Sequence, residues 1–233
     1  MSDRVCVVIG VGPKNGASIA KKFSDEGYKV AVLARSVDYV QELASSLKDA
    51  KGYVCDVTNV EMITNVFQQI KSELGSIHTL VYNAGGGQFI DFDETTVEIL
   101  EKNWEINVRG CFAAAKQAVP DMRETGGGNI IVIGATASLR GKATALPFAS
   151  AKSAQRIMLE SMARKLGPEG IHVGYLILDG FVFSDFAKGL SPDKADEDFI
   201  HPEAVAEGVY YLSTQPRTTW TFEMILRPSR EDW

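Results

Sequence analysis

Apolar residues come along this chain in short unbroken runs, separated by longer stretches with helical spacing. The runs stand at Val5–Ile9, Lys29–Ala34, 52–55, 79–82, 129–133, Ile171–Leu178 and Glu223–Leu226. β-branched residues are prominent in them and polar residues hardly alternate within the early ones, as expected of strands covered on both faces. Between the first six lie helical patterns over 17–26, 37–47, 60–73, 95–123 and 149–166, and another over 203–214 precedes the last run. Strand and helix alternating in this way predict an α/β fold built on a doubly wound parallel sheet. Right-handed crossovers then place the ligand crevice beyond the carboxyl ends of the strands. No repeat, low-complexity tract or linker interrupts the pattern, and residues 1–233 read as a single domain. Gly126-Gly127-Gly128 is a turn rather than a boundary. The one long stretch between elements, 181–200, carries Asp, Lys, Ser and Pro after a strand end and reads as a lid over a substrate.

Composition narrows the picture. A chain of 233 residues suits one α/β domain, and 45% apolar with 23% charged residues is ordinary for a globular protein. The formal net charge is -6, with acids and bases interspersed. That disfavours nucleic acid or an anionic membrane as partner and leaves a small molecule. Cys6, Cys55 and Cys111 are odd in number and embedded in apolar runs, so they read as buried reduced thiols rather than a disulfide or metal set. No zinc-type spacing occurs, and no metal is expected. The first apolar run comes almost at once and is too short for a signal peptide or a membrane span, which makes a cytoplasmic location the expectation.

The first chemical signal is a glycine loop. Gly10, Gly12, Lys14, Asn15 and Gly16 lie between the first strand and the first helix. A helix N-terminus has unpaired N–H groups and a positive dipole end, and glycine lets backbone approach a pyrophosphate there. The second strand ends at Arg35, where an acid would hold a ribose 2′-hydroxyl; arginine there accommodates a 2′-phosphate and favours NADP over NAD. Asp56, after the third strand, either accepts from an adenine amino group or caps the helix that starts near Thr58. Asn83-Ala84-Gly85, after the fourth, puts small residues and an amide beside the adenosine.

Together with Asp56-Val57, Asn107, Lys152 and the order of the strands, these residues resemble the short-chain dehydrogenase/reductase family over essentially the whole chain. The resemblance implies a Rossmann-like fold, here with seven strands and helices on both faces. It also implies a nicotinamide cofactor, hydride transfer to or from a carbonyl or alcohol, and a homodimer or homotetramer. In that family a tyrosine is the general acid or base and a serine polarises the substrate oxygen. A lysine holds the ribose and lowers the tyrosine pKa, and an asparagine supports a water chain leading to the lysine. Lys152 and Asn107 fall on the last two positions.

The chain departs from that pattern in four places. Lys14 stands where the family has its middle glycine, with an extra glycine at Gly12. Phe148 replaces the tyrosine four residues before Lys152, and the serine position thirteen residues before Phe148 is Ala135. Thr136 and Ser138 lie close but out of register; Ser138 is carried as a candidate catalytic hydroxyl. The usual Pro-Gly after the sixth strand is Asp179-Gly180, followed by Ser184 where a hydroxyl meets the nicotinamide amide. A divergent branch of the family has the same phenylalanine before its lysine. Lys152 reads first as a ribose ligand. Asn107 either serves the lysine or only bends its helix. Asp179 is either an acid of raised pKa, if buried, or part of a turn with Gly180.

His78, His172 and His201 form no cluster and read as structural. Tyr210, Tyr211 and Trp220 read as packing or subunit contacts. Ile106, Phe112 and Val119 mark a face that is either core or interface. Three functions follow: an NADP(H)-dependent oxidoreductase with an altered tetrad, a dinucleotide-binding regulator without turnover, or a scaffold.

Overall fold

The computed structural model describes residues 4–231. Seven parallel strands form one sheet in the order β3-β2-β1-β4-β5-β6-β7. They are β1 (Val5–Ile9), β2 (Lys29–Ala34), β3 (Ala50–Val54), β4 (Ile77–Tyr82), β5 (Gly128–Ala135), β6 (Ile171–Leu178) and β7 (Glu223–Leu226). The chain winds outward from β1 to β3, crosses to β4, and winds outward again to β7. The reversal sets β1 beside β4, with Ile9 opposite Tyr82, and a ligand crevice opens past their carboxyl ends. β3 starts at Ala50 rather than at the apolar run, because Val30 and Ala31 of β2 pair with Ala50 and Lys51. Ladder pairing outweighs side-chain character at this sheet edge.

Side chains alternate across a strand, so the sheet carries two cores. Val5, Val7 and Ile9 pack with α3 (Val60–Leu74), α5 (Gly110–Glu124) and α6 (Leu146–Leu166). Cys6 and Val8 pack with α1 (Asn15–Asp25), α2 (Val37–Ser45) and α8 (Pro202–Thr214) on the other face. Every residue of β1 is therefore buried, which accounts for its unbroken apolar run. The three cysteines are buried and free. No helix among the described residues is long and apolar enough to cross a membrane.

The helical pattern over 95–123 is not one helix. α4 (Val97–Trp104) passes through a π-turn, Glu105–Arg109, before α5 begins. Asn107 accounts for the break: its side-chain amide donates to the Asn103 carbonyl at 2.8 Å and to the Gly86 carbonyl at 2.8 Å. The Gly110 N–H reaches back to the Glu105 carbonyl. A π-turn leaves carbonyls open to side chains. Ile106 thus accepts from the Tyr82 hydroxyl at 2.5 Å, and Asn107 accepts from the Gln155 amide at 2.5 Å. The stretch 181–200, read as a lid, contains α7 (Asp185–Leu190), and a parallel bridge between Val182 and Ile200 pins its ends.

The turn out of β1 depends on one glycine. Gly10 has φ +82°, and a Cβ there would lie 2.4 Å from the Ala84 nitrogen. Gly12, two residues on, meets nothing within 4 Å. Gly10→Ala is expected to lower stability by about 2–4 kcal/mol, the sum of a left-handed backbone and a backbone clash. Gly12→Ala is expected to leave it unchanged. Urea unfolding of the two variants checks the contrast.

Candidate functional site

A cleft of about 650 Å³ lies over the carboxyl ends of β1, β2, β3 and β4. Of the residues expected to bind a cofactor, Gly10, Gly12, Arg35, Asp56, Val57, Asn83, Ala84 and Gly85 line it. The glycine loop is held from below, where the Asn83 amide donates to the Gly10 carbonyl at 2.7 Å. Gly16 lets α1 start close to the loop, since a Cβ there would lie 2.5 Å from Val11 Cα. No side chain caps α1 at Lys14, and the Gly12 carbonyl takes the Ala17 N–H at 3.0 Å. Lys14 itself is exposed. Asn15 Oδ1 is buried with no hydrogen-bond partner among the described residues.

Arg35 is exposed at the edge of the cleft, with Ser36 and Tyr39 beside it and Lys102 on the rim. Lys102, on α4, was not marked by any sequence signal. Asp56 accepts from the Thr58 N–H at 2.9 Å and the Thr58 hydroxyl at 2.8 Å. The Thr58 N–H, with Arg35 and Lys102 adding, holds its carboxyl below the usual range. It does not cap α3, a duty that falls to Asn59.

Lys152 lies behind Gly85, buried to 4% exposure. Its ammonium donates to the Ile133 carbonyl at 3.0 Å and to Gln155 Oε1 at 2.9 Å. Burial lowers its pKa to about 8, the Cys111 thiol opposing in part. A Cβ on Gly85 would lie 3.7 Å from both Lys152 Nζ and Asn107 Oδ1. Asn107 Oδ1 is buried without a hydrogen-bond partner among the described residues. The gap that Gly85 leaves therefore faces one ammonium and one orphaned acceptor. Of the two roles considered for Asn107, the bending of the helix is seen directly in its hydrogen bonds to Asn103 and Gly86. Gln155 went unread in the sequence, although its place three residues after Lys152 puts both on one helix face.

The proton-handling groups are placed differently. Phe148 is half-buried, and its ring covers Gly87, where a Cβ would lie 2.3 Å from Phe148 Cδ2. Phe89 packs on the same ring with centroids 5.3 Å apart. Ser138 is buried and donates to the Ala135 carbonyl at 2.7 Å, so the hydroxyl carried as catalytic points into the protein. Thr136 donates to Asp179 at 2.5 Å. Of the two readings of Asp179, the acid of raised pKa is not borne out. Burial pushes it up, but the Thr136 hydroxyl and the Arg227 and Arg140 guanidinium groups outweigh burial and hold it below the usual range. Arg227 grips it through two nitrogens, Nε at 2.9 Å and Nη2 closer still. Gly180 has φ +155° and packs on Pro228, while Ser184 accepts from the Ala187 N–H at 3.0 Å and caps α7. His78, His172 and His201 do not line the cleft. Val119 is core, whereas Phe112 is 48% exposed.

Known proteins agree with this architecture. The family model described as short chain dehydrogenase matches residues 4–195. Carbonyl reductase family member 4 of Xenopus laevis is 28% identical over 221 residues, 93% of each chain. A short-chain dehydrogenase from Rhodopseudomonas palustris is 31% identical, with TM-score 0.83 over 98% of this chain and all of that one. The alcohol dehydrogenase of the archaeon Thermococcus sibiricus, solved with 5-hydroxy-NADP, shares the fold at TM-score 0.87, with 24% identity and 98% of each chain covered. With its strand order, its glycine loop and its buried lysine all in place, the chain belongs to the short-chain dehydrogenase family of oxidoreductases.

Proposed function

We propose that the protein is an NADP(H)-dependent oxidoreductase that keeps the cofactor half of its site and has lost the side-chain proton donors. The observation that carries this reading is the gap beside Gly85. Lys152 uses two of its three N–H groups on the protein, and Asn107 Oδ1 is unpartnered. One donor and one acceptor side by side suit a pair of ribose hydroxyls. Arg35 and Lys102 at the far edge of the cleft support a 2′-phosphate, hence NADP over NAD. The open α1 terminus and the bare Gly12 support a pyrophosphate between them. When bound, the nicotinamide would give or take a hydride at a carbonyl or alcohol carbon. The name of the Xenopus relative supports a carbonyl substrate. The net charge of -6 supports a small molecule, rather than nucleic acid or an anionic membrane, as partner, and a cytoplasmic location is part of the same proposal.

The chain's own residues then bind and orient without delivering a proton. Thr136 and Ser138 are committed to Asp179 and Ala135, and Asp179 is kept ionised by two arginines. Water is left as the proton source. A positioned donor contributes on the order of 10²–10⁴ in rate, and turnover is slower than in a relative with the tyrosine by about that factor. The same commitments favour a second reading, a dinucleotide-binding sensor or regulatory subunit without turnover. NADPH oxidation across a carbonyl panel separates the two: steady consumption with any member supports the enzyme, and none supports the sensor.

Arg35→Ala is expected to weaken NADPH binding by about 10–100-fold and leave NADH almost unchanged, as the loss of one charge-assisted contact predicts. Fluorescence titration with both cofactors checks it, and equal effects on the two would remove the 2′-phosphate assignment. Phe148→Tyr alone is expected to raise reductase activity by less than about tenfold, because Ala135 still provides no hydroxyl to polarise the substrate and a lost oxyanion-type donor costs ~3 kcal/mol. High activity from that single change in the NADPH assay would overturn this account. We also propose a homodimer or homotetramer, supported by Trp104 at 47% and Phe112 at 48% exposure. Phe112→Asp is expected to shift the sedimentation profile towards monomer.

A further inference from the structure

The Lys152 ammonium is joined to the π-turn by a side chain. Gln155 is fully buried, accepts from Lys152 Nζ at 2.9 Å through Oε1, and donates from Nε2 to the Asn107 carbonyl at 2.5 Å. The resemblance implies water between these two groups. Here an amide fills the place, and both of its ends are hydrogen-bonded.

We propose that Gln155 is a positioning residue, whose amide clamps the Lys152 ammonium against the Asn107 carbonyl and so fixes its remaining N–H beside Gly85 as a charge for the cofactor ribose. The proposal rests on the cofactor reading above for the identity of the ligand, but not for the clamp itself. Two bonds from different elements, Ile133 on β5 and Gln155 on α6, determine the tetrahedral orientation of the third N–H. The 3.7 Å approach of both Nζ and Asn107 Oδ1 to the Gly85 Cβ position places the gap next to that charge. An ammonium on a four-carbon stem is otherwise free to swing, and losing that freedom in advance of binding favours a ligand that needs one geometry.

The surroundings let the clamp be read by titration. Cys111 on α5 is the titratable group that acts on Lys152 among the described residues, and burial pushes its thiol up to about 12, so it stays neutral. On β6, the Tyr175 hydroxyl donates to the Lys152 carbonyl at 3.4 Å, and burial raises its pKa too. Tyr82 on β4 is likewise raised by burial and donates to Ile106. With no carboxylate among these neighbours, the amide acceptor is a main support of the protonated form. Removing it lowers the lysine pKa, and replacing it with a carboxylate raises it.

The test titrates Lys152 directly in the full-length protein, by NMR of lysine labelled at Cε and Nζ. The Lys152 signal is assigned by its loss in Lys152→Arg. The wild-type midpoint is expected near 8. In Gln155→Leu it falls by about one pH unit or more, the worth of one hydrogen bond to a charge, and in Gln155→Glu it rises above the wild-type value. Midpoints unchanged in both variants would overturn the proposal. NADPH titration across the same pH range gives the second readout. Affinity is expected to weaken above the Lys152 midpoint and to follow it down in Gln155→Leu. A purely structural role changes affinity equally at every pH, and that result also counts against the clamp. If NADPH fails to bind even the wild type while the midpoints move as stated, the cofactor reading falls and the clamp stands. Should Gln155→Leu fail to fold, Gln155→Met, which keeps the length and bulk of the side chain without its amide, decides by the same fall of the midpoint.

Discussion

A lysine ammonium buried between β5, α6 and the π-turn is the constraint around which this site is built. Its pKa falls from 10.5 to about 8, which makes the charge cost roughly 3 kcal/mol relative to the unfolded chain. The sign follows from the lowered value: the cost is complete below about pH 8, where both states hold the proton, and fades as pH rises towards 10.5. A buried charge without a carboxylate has to be met by neutral acceptors. Here the acceptors are the Ile133 carbonyl and the Gln155 amide, and the amide needs a carbonyl of its own. In mid-run an α-helix carbonyl already accepts an N–H of its own helix. The π-turn at Glu105–Arg109 supplies one at Asn107. The break in the long helix and the buried lysine are two ends of one hydrogen-bond chain.

Much of this was legible beforehand, for physical reasons that differ from residue to residue. The strands of the sheet interior announced themselves because both their faces are covered. β3, at the edge, was misplaced because its register follows β2 rather than its own apolar residues. The glycine loop was readable because Gly10 has no alternative at φ +82°. The π-turn was not, since its sequence has perfectly helical spacing and only the competition of the Asn107 amide breaks it. The sequence left Asp179 open between an acid of raised pKa and a turn with Gly180. Its pKa depends on Arg227, which lies 48 residues away and arrives only through the pairing of β6 with β7. Lys102 reached the cleft by the same kind of long-range placement, whereas Gln155 had a local signal in its spacing from Lys152.

The two absences, Ala135 and Phe148, are coherent as packing. A phenol at position 148 requires a polar partner on its rim, and Ala135 provides none. The phenylalanine ring instead lies against Gly87 and packs at a tilt on Phe89. Ser138 turns inward to close the end of β5, and Thr136 anchors Asp179. Both hydroxyls, Thr136 and Ser138, thereby have structural partners. A polar group placed among them now meets a network already satisfied.

The cleft escapes this rebuilding because different parts of the fold carry it. Backbone turns at the ends of β1 and β4 shape it, with Arg35 after β2 and Lys102 on α4 at its edge. α6 carries Phe148 on one turn and Lys152 and Gln155 on the next. Replacing the first turn's phenol leaves the second turn's hydrogen bonds intact, since neither Lys152 bond involves position 148. A lysine kept only to assist a phenol would have lost its reason for burial, at a cost of roughly 3 kcal/mol, once the phenol was gone. That it remains, and that Gln155 and a π-turn remain with it to hold its charge, argues that the ammonium serves a ligand in its own right.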